Sequence, residues 1–499
     1  MKKLKELIET NLDIEITNVT DDSRKIKKDG LFFAIKGIKS DGNKYIPKAI
    51  ENGAVCIVTE EDIEAEIPVI KVNNSQQTYN DALNKFYDDI RSKLKFISTT
   101  GTDGKTTVSE IIYQLINNYD SCGYIGTNGI KLNNFTMENE HTTPMPDDLY
   151  KALNEFEKQN CKYVSLECSS ERLGTHKLDG IEFEAAVFTN LTRDHLDTHK
   201  TMENYAKAKA ISFKNLKKDG LGIINYNDEY KKYFIEACNG TYKTYSTDNE
   251  NADLYASNIK ISYNNLEFDI NGLYNKHIKT HLSGLFNVNN IMCAILVLTH
   301  LGYDIDSVVK NIENLEPIEA RQILLKTEFG FNIMVDYGHT RNAIKNLCEY
   351  VRPLVKGKII AVYGAAGSRD PRRMIEVANY LTENVDHIVF TTEDVRYDEP
   401  KYLMKLMISE TKTNNYELEE NRDVAIKKAI MQAKKDDMVL ILGKGLEAYQ
   451  LTNGVEVPRP NDLESAKIVL KEMNTQTQKN WLNQFFSLNK SGKSFSNKT

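Results

Sequence analysis

No run of eighteen apolar residues occurs anywhere in the chain, so the sequence offers no transmembrane helix. Nor does an apolar core of signal-peptide length follow Lys2-Lys-Leu-Lys5, and no secretory leader is expected. An excess of positive charge is also missing. A net charge of −7 argues against a general nucleic-acid binder and against an anionic membrane surface as the main partner. Cysteine is present but unorganised: seven residues (56, 122, 161, 168, 238, 293, 348), an odd number, with no C-x-x-C. That excludes a disulfide framework and a zinc ribbon as readings, and a reducing cytoplasm is the expected location. What remains is ordinary soluble composition, 40% hydrophobic and 27% charged over 499 residues. That length suggests about three or four domains, each large enough to bury its own core.

The strongest local signal is Ser98-Thr-Thr-Gly-Thr-Asp-Gly-Lys-Thr-Thr107. The apolar run Leu94–Ser98 before it reads as a buried strand, and Val108–Ile116 after it as a helix. Strand, glycine turn and helix is the setting a phosphate cradle requires, because turn amides and a helix N-terminus face the anion. Lys105 would reach the outer phosphates and the Thr106 hydroxyl would ligate Mg²⁺. The pattern is the end of G-x-x-x-x-G-K-[ST] only, since Thr99 stands where the first glycine belongs. An ordinary strand-to-helix loop is the competing reading, and it does not explain a lysine at the positive end of a helix.

The fold class is α/β in three domains. Residues 1–92 form a small α/β N-terminal domain, with polar turns at Thr20-Asp-Asp-Ser-Arg24 and Asp41-Gly42 and a strand up to Val58. Residues 93–313 form a central, doubly wound P-loop domain. Tyr163–Glu167, Ala185–Asn190 and Leu221–Asn225 read as its buried strands with polar ends. Short alternating pieces around Asn271-Gly272 suggest an antiparallel hairpin within Lys260–His281. Residues 314–473 form a second, Rossmann-like sheet with strands at Ile333–Asp336, Lys358–Gly364, His387–Thr391 and Met438–Gly443. Gly364-Ala-Ala-Gly-Ser-Arg369 is not G-x-G-x-x-G, so NAD binding is not read from it. Residues 474–499 carry lysines but no acid, and read as a disordered tail with one short amphipathic turn at Trp481, Leu482, Phe485 and Phe486.

Ligands of doubly wound sheets sit outside the carboxyl ends of the strands. Glu167 ends one strand, His195 follows another, and Lys209 lies on the next helix. A carboxylate and an imidazole beside a nucleotide are reasonable Mg²⁺ ligands. Each also has a plain explanation: a strand-end acid, a core histidine, a lysine on a solvated face.

The ordered set of motifs resembles the Mur ligase family, the ATP-dependent amino-acid ligases of peptidoglycan synthesis, over roughly residues 15–470. The motifs are Asp22-Ser-Arg24, Gly101–Thr107, Thr142-Thr-Pro144, Glu167-Cys-Ser-Ser170, Phe188–Asp197, Gly284–Asn290, Val335–Thr340 and Leu442–Glu447. The branch it most resembles adds the third residue of the stem peptide.

The resemblance implies a UDP-sugar-binding first domain, an ATP-binding second domain and an amino-acid-binding third domain. It places Ser23, Thr142, Thr143, Ser169, Thr175 and Lys177 on the sugar nucleotide and its peptide. Gly101, Thr102, Asp103, Gly104, Lys105, Thr106, Thr107, Asn287, Asn290, Arg321 and Asp336 would hold ATP. Lys105, Glu167, His195 and a carbamylated Lys209 would be catalytic, with Thr106, Glu167, His195 and Lys209 around magnesium. Asp394, Arg396, Gly443 and Glu447 would receive the amino acid. ATP and Mg²⁺ are the implied cofactors. The implied partners are UDP-N-acetylmuramoyl dipeptide, ATP and a diamino acid, with no nucleic acid, no integral membrane segment and a monomeric chain. The implied chemistry is an acyl phosphate formed from the peptide carboxylate, then opened by the incoming amine.

Three stretches depart from the family pattern. Thr391-Thr-Glu-Asp-Val-Arg396 stands for Asp-Asn-Pro-Arg, keeping Arg396 but placing Asp394 and Val395 in the pocket. Leu446 replaces a histidine in Gly443–Glu447, and Glu171 replaces one after Ser169-Ser170. Arg396 favours meso-diaminopimelate through its distal carboxylate. The added acid at Asp394 favours lysine. A ligase of the folylpolyglutamate or cyanophycin type, with another acceptor, stays open as the alternative. A non-catalytic nucleotide-binding scaffold is the rival from a different class.

Overall fold

The computed structural model describes residues 1–37 and 40–490, with side chains described as far as 476. It divides into two compact units, Met1–Pro317 and Ile318–Thr499. Among the described residues no helix is long and apolar enough to cross a membrane.

The first unit contains the two sheets that the sequence places on either side of residue 92. The smaller is fully parallel, in the order Asn18–Thr20, Gly30–Phe33, Ala54–Thr59, Val69–Lys71. Its inner strand Gly30–Phe33 is buried at every position. One face packs on a core of its own, with Phe32, Ile46, Ala49 and Ile57 in one cluster, and the other shares a core with the segment that follows. Leu4, Phe33, Tyr79 and Leu83 belong to the same apolar cluster as Tyr150, Leu153 and Phe156 of the following segment.

The large sheet has eleven strands. From Cys122–Gly126, through Tyr163–Glu167, Lys95–Thr100, Phe183–Phe188, Leu216–Asn225 and Thr241–Ser246, to Leu254–Ser262, every pairing is parallel. Both margins turn antiparallel, through Gly129–Leu132 and Phe135–Met137 on one side and Asn265–Gly272 and Lys276–Thr280 on the other. The stretch around Asn271-Gly272 is therefore antiparallel as expected. It makes two reversals rather than one: a tight turn between Ser262 and Asn265, and a second after Gly272 at φ 96°.

Strand order fixes where a ligand can sit. Lys95–Thr100 comes first in sequence but lies in the interior of the sheet. The chain then builds outward to one side of it and, from Phe183 onward, to the other. Switch points of this kind open a crevice at the carboxyl ends of the strands. Register places Glu167 beside Thr99 on one flank and Phe188 beside Thr100 on the other.

The second unit has a six-stranded sheet in the order Ile323–Lys326, Asn332–Asp336, Met438–Leu442, Ile359–Ala365, His387–Thr392, Tyr416–Leu418. Only the first pairing is antiparallel. Met438–Leu442 and Ile359–Ala365 are buried throughout, as two-faced strands must be. A hairpin, Tyr449–Thr452 with Val455–Pro458, follows. The closing helix runs Asp462–Lys490, so the tail expected from 474 is helical backbone as far as Lys490. Residues 491–499, and the side chains of Trp481, Leu482, Phe485 and Phe486, lie outside the described residues.

Candidate active site

The strand Lys95–Thr100 leads into a turn that two glycines make possible. Gly101 has a φ of 147° and Gly104 one of 85°. A Cβ on Gly101 would lie 1.9 Å from the Thr189 hydroxyl. The turn is braced by the chain leaving the strand Phe183–Phe188. The Asn190 carbonyl accepts the Thr102 amide at 2.8 Å, and its side-chain oxygen accepts the Asp103 amide at 3.1 Å. The Thr189 hydroxyl donates to the Asp103 carbonyl at 2.6 Å. Lys105 folds back and donates to the carbonyls of Gly101 and Thr102 at 3.1 and 2.9 Å. That keeps its charge beside amides able to receive a phosphate.

Glu167 is fully buried at the end of the neighbouring strand. Its Oε2 accepts from the Thr106 hydroxyl at 3.0 Å and the Thr127 hydroxyl at 3.2 Å. Its Oε1 accepts from the Tyr124 hydroxyl at 2.6 Å and the Thr127 amide at 2.9 Å. A buried carboxylate needs such partners. Gly126 makes room for them, since a Cβ there would lie 2.2 Å from Oε1 and 2.4 Å from the Tyr124 hydroxyl. Tyr124, Gly126 and Thr127 escaped the sequence reading. The only signal for them is that Cys122–Gly126 is a strand, which its two glycines disguise.

His195 and Lys209 converge on the other flank. Lys209 is 1% exposed, and its ammonium donates to the Gly101 carbonyl at 2.6 Å and sits 4.7 Å over the Tyr205 ring. Burial, and then the charge of Lys105, push its pKa well below the usual lysine range. His195 has left-handed backbone, φ 52°. Its Nε2 lies 3.3 Å from Asp194 and its ring 6.0 Å from the same Tyr205 ring. Among the described residues there is no cluster of three or more His, Cys, Asp or Glu that could cage a metal. Magnesium with nucleotide phosphates and water needs only one or two protein oxygens. The adjacent Thr106 and Glu167 oxygens are hard donors of that kind and fit it.

Asn287 and Asn290 are buried on the helix Leu285–His300. Asn290 donates to Asn287 Oδ1 at 2.9 Å, and its own Oδ1 lies 3.1 Å from where a Cβ on Gly104 would be. Asn290 therefore approaches the turn, with Asn287 bonded behind it. Thr107 is buried one turn into the helix Lys105–Ile116.

Thr142, Thr143 and Ser169 gather around Glu167. The Thr142 hydroxyl lies 3.2 Å from the Thr127 hydroxyl. The Thr143 hydroxyl donates to the Glu167 carbonyl at 2.7 Å and accepts the Ser169 amide at 2.9 Å. Ser169 caps the helix Ser170–Gly174. Thr175 donates to the Glu171 carbonyl of its own helix at 2.7 Å. Lys177 reaches to 3.7 Å from Asp21 of the N-terminal segment. Ser23 is buried there, its carbonyl accepting from Asn52 at 2.8 Å.

In the second unit the Arg321 guanidinium lies 4.9 Å over the Tyr337 ring. Asp336 accepts the amides of Gln322 and Gly338 at 2.8 and 2.6 Å, which fixes the loop carrying Arg321. Lys444 has no exposed side-chain surface and bridges Asp394 and Glu447 at 2.7 Å each. Glu447 also accepts from the Tyr337 hydroxyl at 2.9 Å. Gly443, at φ 109°, lies beside Glu393. Arg396 has left-handed backbone, φ 54°, anchored by its amide to the Leu451 carbonyl at 2.8 Å. Its Nε is buried without a hydrogen-bond partner. Burial, then Arg369, lower its pKa.

Three family models match the chain: Mur ligase family, catalytic domain, over residues 15–91; Mur ligase middle domain over 99–298; and Mur ligase, glutamate ligase domain, over 321–445. The chain is 36% identical over 457 residues to UDP-N-acetylmuramoyl-L-alanyl-D-glutamate–2,6-diaminopimelate ligase 1 of Clostridium acetobutylicum, covering 89% of this chain and 93% of that protein. It is 32% identical over 472 residues to UDP-N-acetylmuramoyl-L-alanyl-D-glutamate–L-lysine ligase of Staphylococcus haemolyticus, covering 92% and 94%. A solved UDP-N-acetylmuramoyl-L-alanyl-D-glutamate–2,6-diaminopimelate ligase superposes with a TM-score of 0.66 at 26% identity, covering 95% of this chain and 99% of that one. The MurF ligase of Thermotoga maritima in complex with ADP shares the fold, with a TM-score of 0.64 at 19% identity, covering 92% and 98%.

Proposed function

The chain belongs to the Mur ligase family, and from that premise we propose that it joins a diamino acid to UDP-N-acetylmuramoyl-L-alanyl-D-glutamate at the expense of ATP, with meso-diaminopimelate as the amino acid. The observation that carries this reading is the convergence of Lys105, Thr106, Glu167 and Lys209 on one glycine turn. The turn amides and Lys105 take the ATP phosphates, and Asn287 and Asn290 flank the nucleotide. A carboxylate of the muramoyl peptide attacks the γ-phosphoryl group and ADP leaves. The amine of the diamino acid then attacks the acyl carbon and phosphate leaves.

Two anions must meet in the first step, so positive charge has to be concentrated there. Magnesium, held by Thr106 and Glu167, would supply the larger part of it when bound. Lys209 would be the wrong charge as an ammonium. Its burial beside Lys105 favours the neutral amine, the form that adds CO₂ and becomes a carbamate anion. His195, against Tyr205, would face that anion. Thr142, Thr143, Ser169 and Lys177 would hold the muramoyl peptide, and Ser23 the uridine end. Thr175 contributes less to this reading, because its hydroxyl is engaged on its own helix.

Diaminopimelate differs from lysine by one carboxylate. The unpartnered Nε of Arg396, with Arg369 and Arg373 close enough to perturb its neighbourhood, suits that extra anion. Asp394 would have favoured a cationic side chain, but its charge is engaged by Lys444. Lysine remains the second reading, supported by the Staphylococcus haemolyticus relative. ADP release should be measured with the dipeptide nucleotide and a panel of amino acids. We expect turnover with meso-diaminopimelate at least tenfold above that with L-lysine. Preference for lysine would reverse the substrate assignment, and no ADP release with any amino acid would sink the ligase reading.

A further inference from the structure

Arg172 lies outside every role assigned above. It sits in the helix Ser170–Gly174, capped by Ser169, and is only 7% exposed. A guanidinium offers five N–H donors. Nε donates to the Thr143 carbonyl at 3.2 Å, and Nη1 lies 3.4 Å from Glu171, whose side chain is 55% exposed. Among the described residues, Nη2 has no hydrogen-bond partner. A solvated carboxylate at that distance compensates a buried cation poorly. The next cation along, Lys177, is under-compensated too, with a thioether at 3.6 Å and Asp21 at 3.7 Å. Taking such charges out of water is costly unless an anion meets them.

The position says which anion. Arg172 holds the Thr143 carbonyl, the Thr143 hydroxyl holds the Glu167 carbonyl, and the Glu167 side chain holds Thr106 of the phosphate turn. Arg172 is thus tied to the end of the site where a carboxylate would meet ATP. Lys177 lies toward the N-terminal segment. A glutamyl terminus presents two carboxylates, and only one is to be phosphorylated. Resting on the ligase reading above, we propose that Arg172 binds the carboxylate that is left unactivated, and so selects which of the two reaches the γ-phosphoryl group. The planar fork suits this, since it grips a carboxylate through two parallel bonds that a lysine cannot reproduce.

The test uses the full-length enzyme with the diacid nucleotide and its two mono-amides at the glutamyl residue. One mono-amide blocks the reacting carboxylate and is inert. The other keeps it and reports on Arg172. In the unsubstituted enzyme the productive amide should lose about 100-fold in kcat/KM against the diacid, the scale of a buried charge pair. In Arg172→Gln the diacid should fall to the level of the amide, so that their ratio approaches one, while KM for ATP and for the amino acid holds. Arg172→Lys, which keeps the charge and stays closer to the original packing, should give an intermediate ratio even if the glutamine variant folds poorly. An unchanged ratio in both variants would overturn the proposal. So would an equal loss on diacid and amide, which points to a diphosphate contact or a purely structural arginine. Equal use of diacid and amide by the unsubstituted enzyme would do the same. Failure of the ligase reading looks different: no ADP release from the unsubstituted enzyme with the diacid.

Discussion

Glu167 owes its position to a residue without a side chain. Its four donors close around it only because Gly126 leaves the space that a methyl group would fill. The contact distances of 2.2 Å to Oε1 and 2.4 Å to the Tyr124 hydroxyl cannot be relieved by rotating a flexible tip, since both atoms are already fixed by each other. Gly126→Ala should therefore displace the carboxylate from Thr106 while leaving the helix Lys105–Ile116 intact. We expect kcat for ADP release to fall by about 100-fold, the usual scale for one misplaced electrostatic group. Nucleotide affinity, which on the proposed reading depends on the turn amides and Lys105, should change less than about threefold. Binding of a fluorescent ATP analogue measured beside turnover separates the two. A matched loss in both would mean that Gly126 supports the turn rather than the carboxylate.

Strands and turns show why some of this was legible in the sequence and some was not. Lys95–Thr100, Tyr163–Glu167 and Met438–Leu442 are buried at every position but Lys95; Met438–Leu442 is apolar throughout, and the other two carry apolar residues before a polar end. Their alternation with helices disclosed the parallel sheets. The residues at their ends disclosed Glu167 and the phosphate turn. His195 was legible from its place after a strand end, but Lys209 only through family motifs, because the ring of Tyr205 unites the two across fourteen residues of chain that no periodicity links. The partner of Asp394 was hidden for a related reason. Lys444 is fifty residues away, and only the fold brings the two into an ion pair. Glu393 precedes Asp394 in the chain. Burial raises its carboxyl to about 7, against the opposing pull of Lys444. The unfolded chain releases that proton near the ordinary glutamate value of 4.5, so between 4.5 and about 7 the folded state holds more protons. Stability contributed there falls as pH rises through that window and stays low above it. Glu393→Gln should remove the slope, raising stability at pH 8 by about 3 kcal/mol at most and leaving pH 5 nearly unchanged. Denaturant unfolding at the two pH values reads this. An equal shift at both would show that Glu393 is ionised throughout.

At the scale of the whole chain, the two units have separate cores, and the second also holds a buried charge pair. Arg422 and Asp462 are both completely buried and joined by bonds of 2.8 and 2.6 Å. Arg422 also donates to the carbonyl of Leu442 at 2.8 Å, and Arg459 adds a contact to Asp462 at 3.2 Å. The pair thus ties the closing helix to the strand end from which Gly443, Lys444 and Glu447 project. A buried pair of this kind adds little net stability over an apolar substitute, but breaking it strands a charge. Asp462→Asn leaves Arg422 without its counter-ion and should destabilise the unit from Ile318 onward by about 3–5 kcal/mol. The first unit shares no residue with that network, so its own unfolding should not move. Hydrogen exchange of the intact chain distinguishes the two units in one experiment. Protection should drop across Met438–Leu442 and Arg422–Gln432 while Lys95–Thr100 keeps its protection. A uniform drop over both units would mean that they unfold as a single cooperative body.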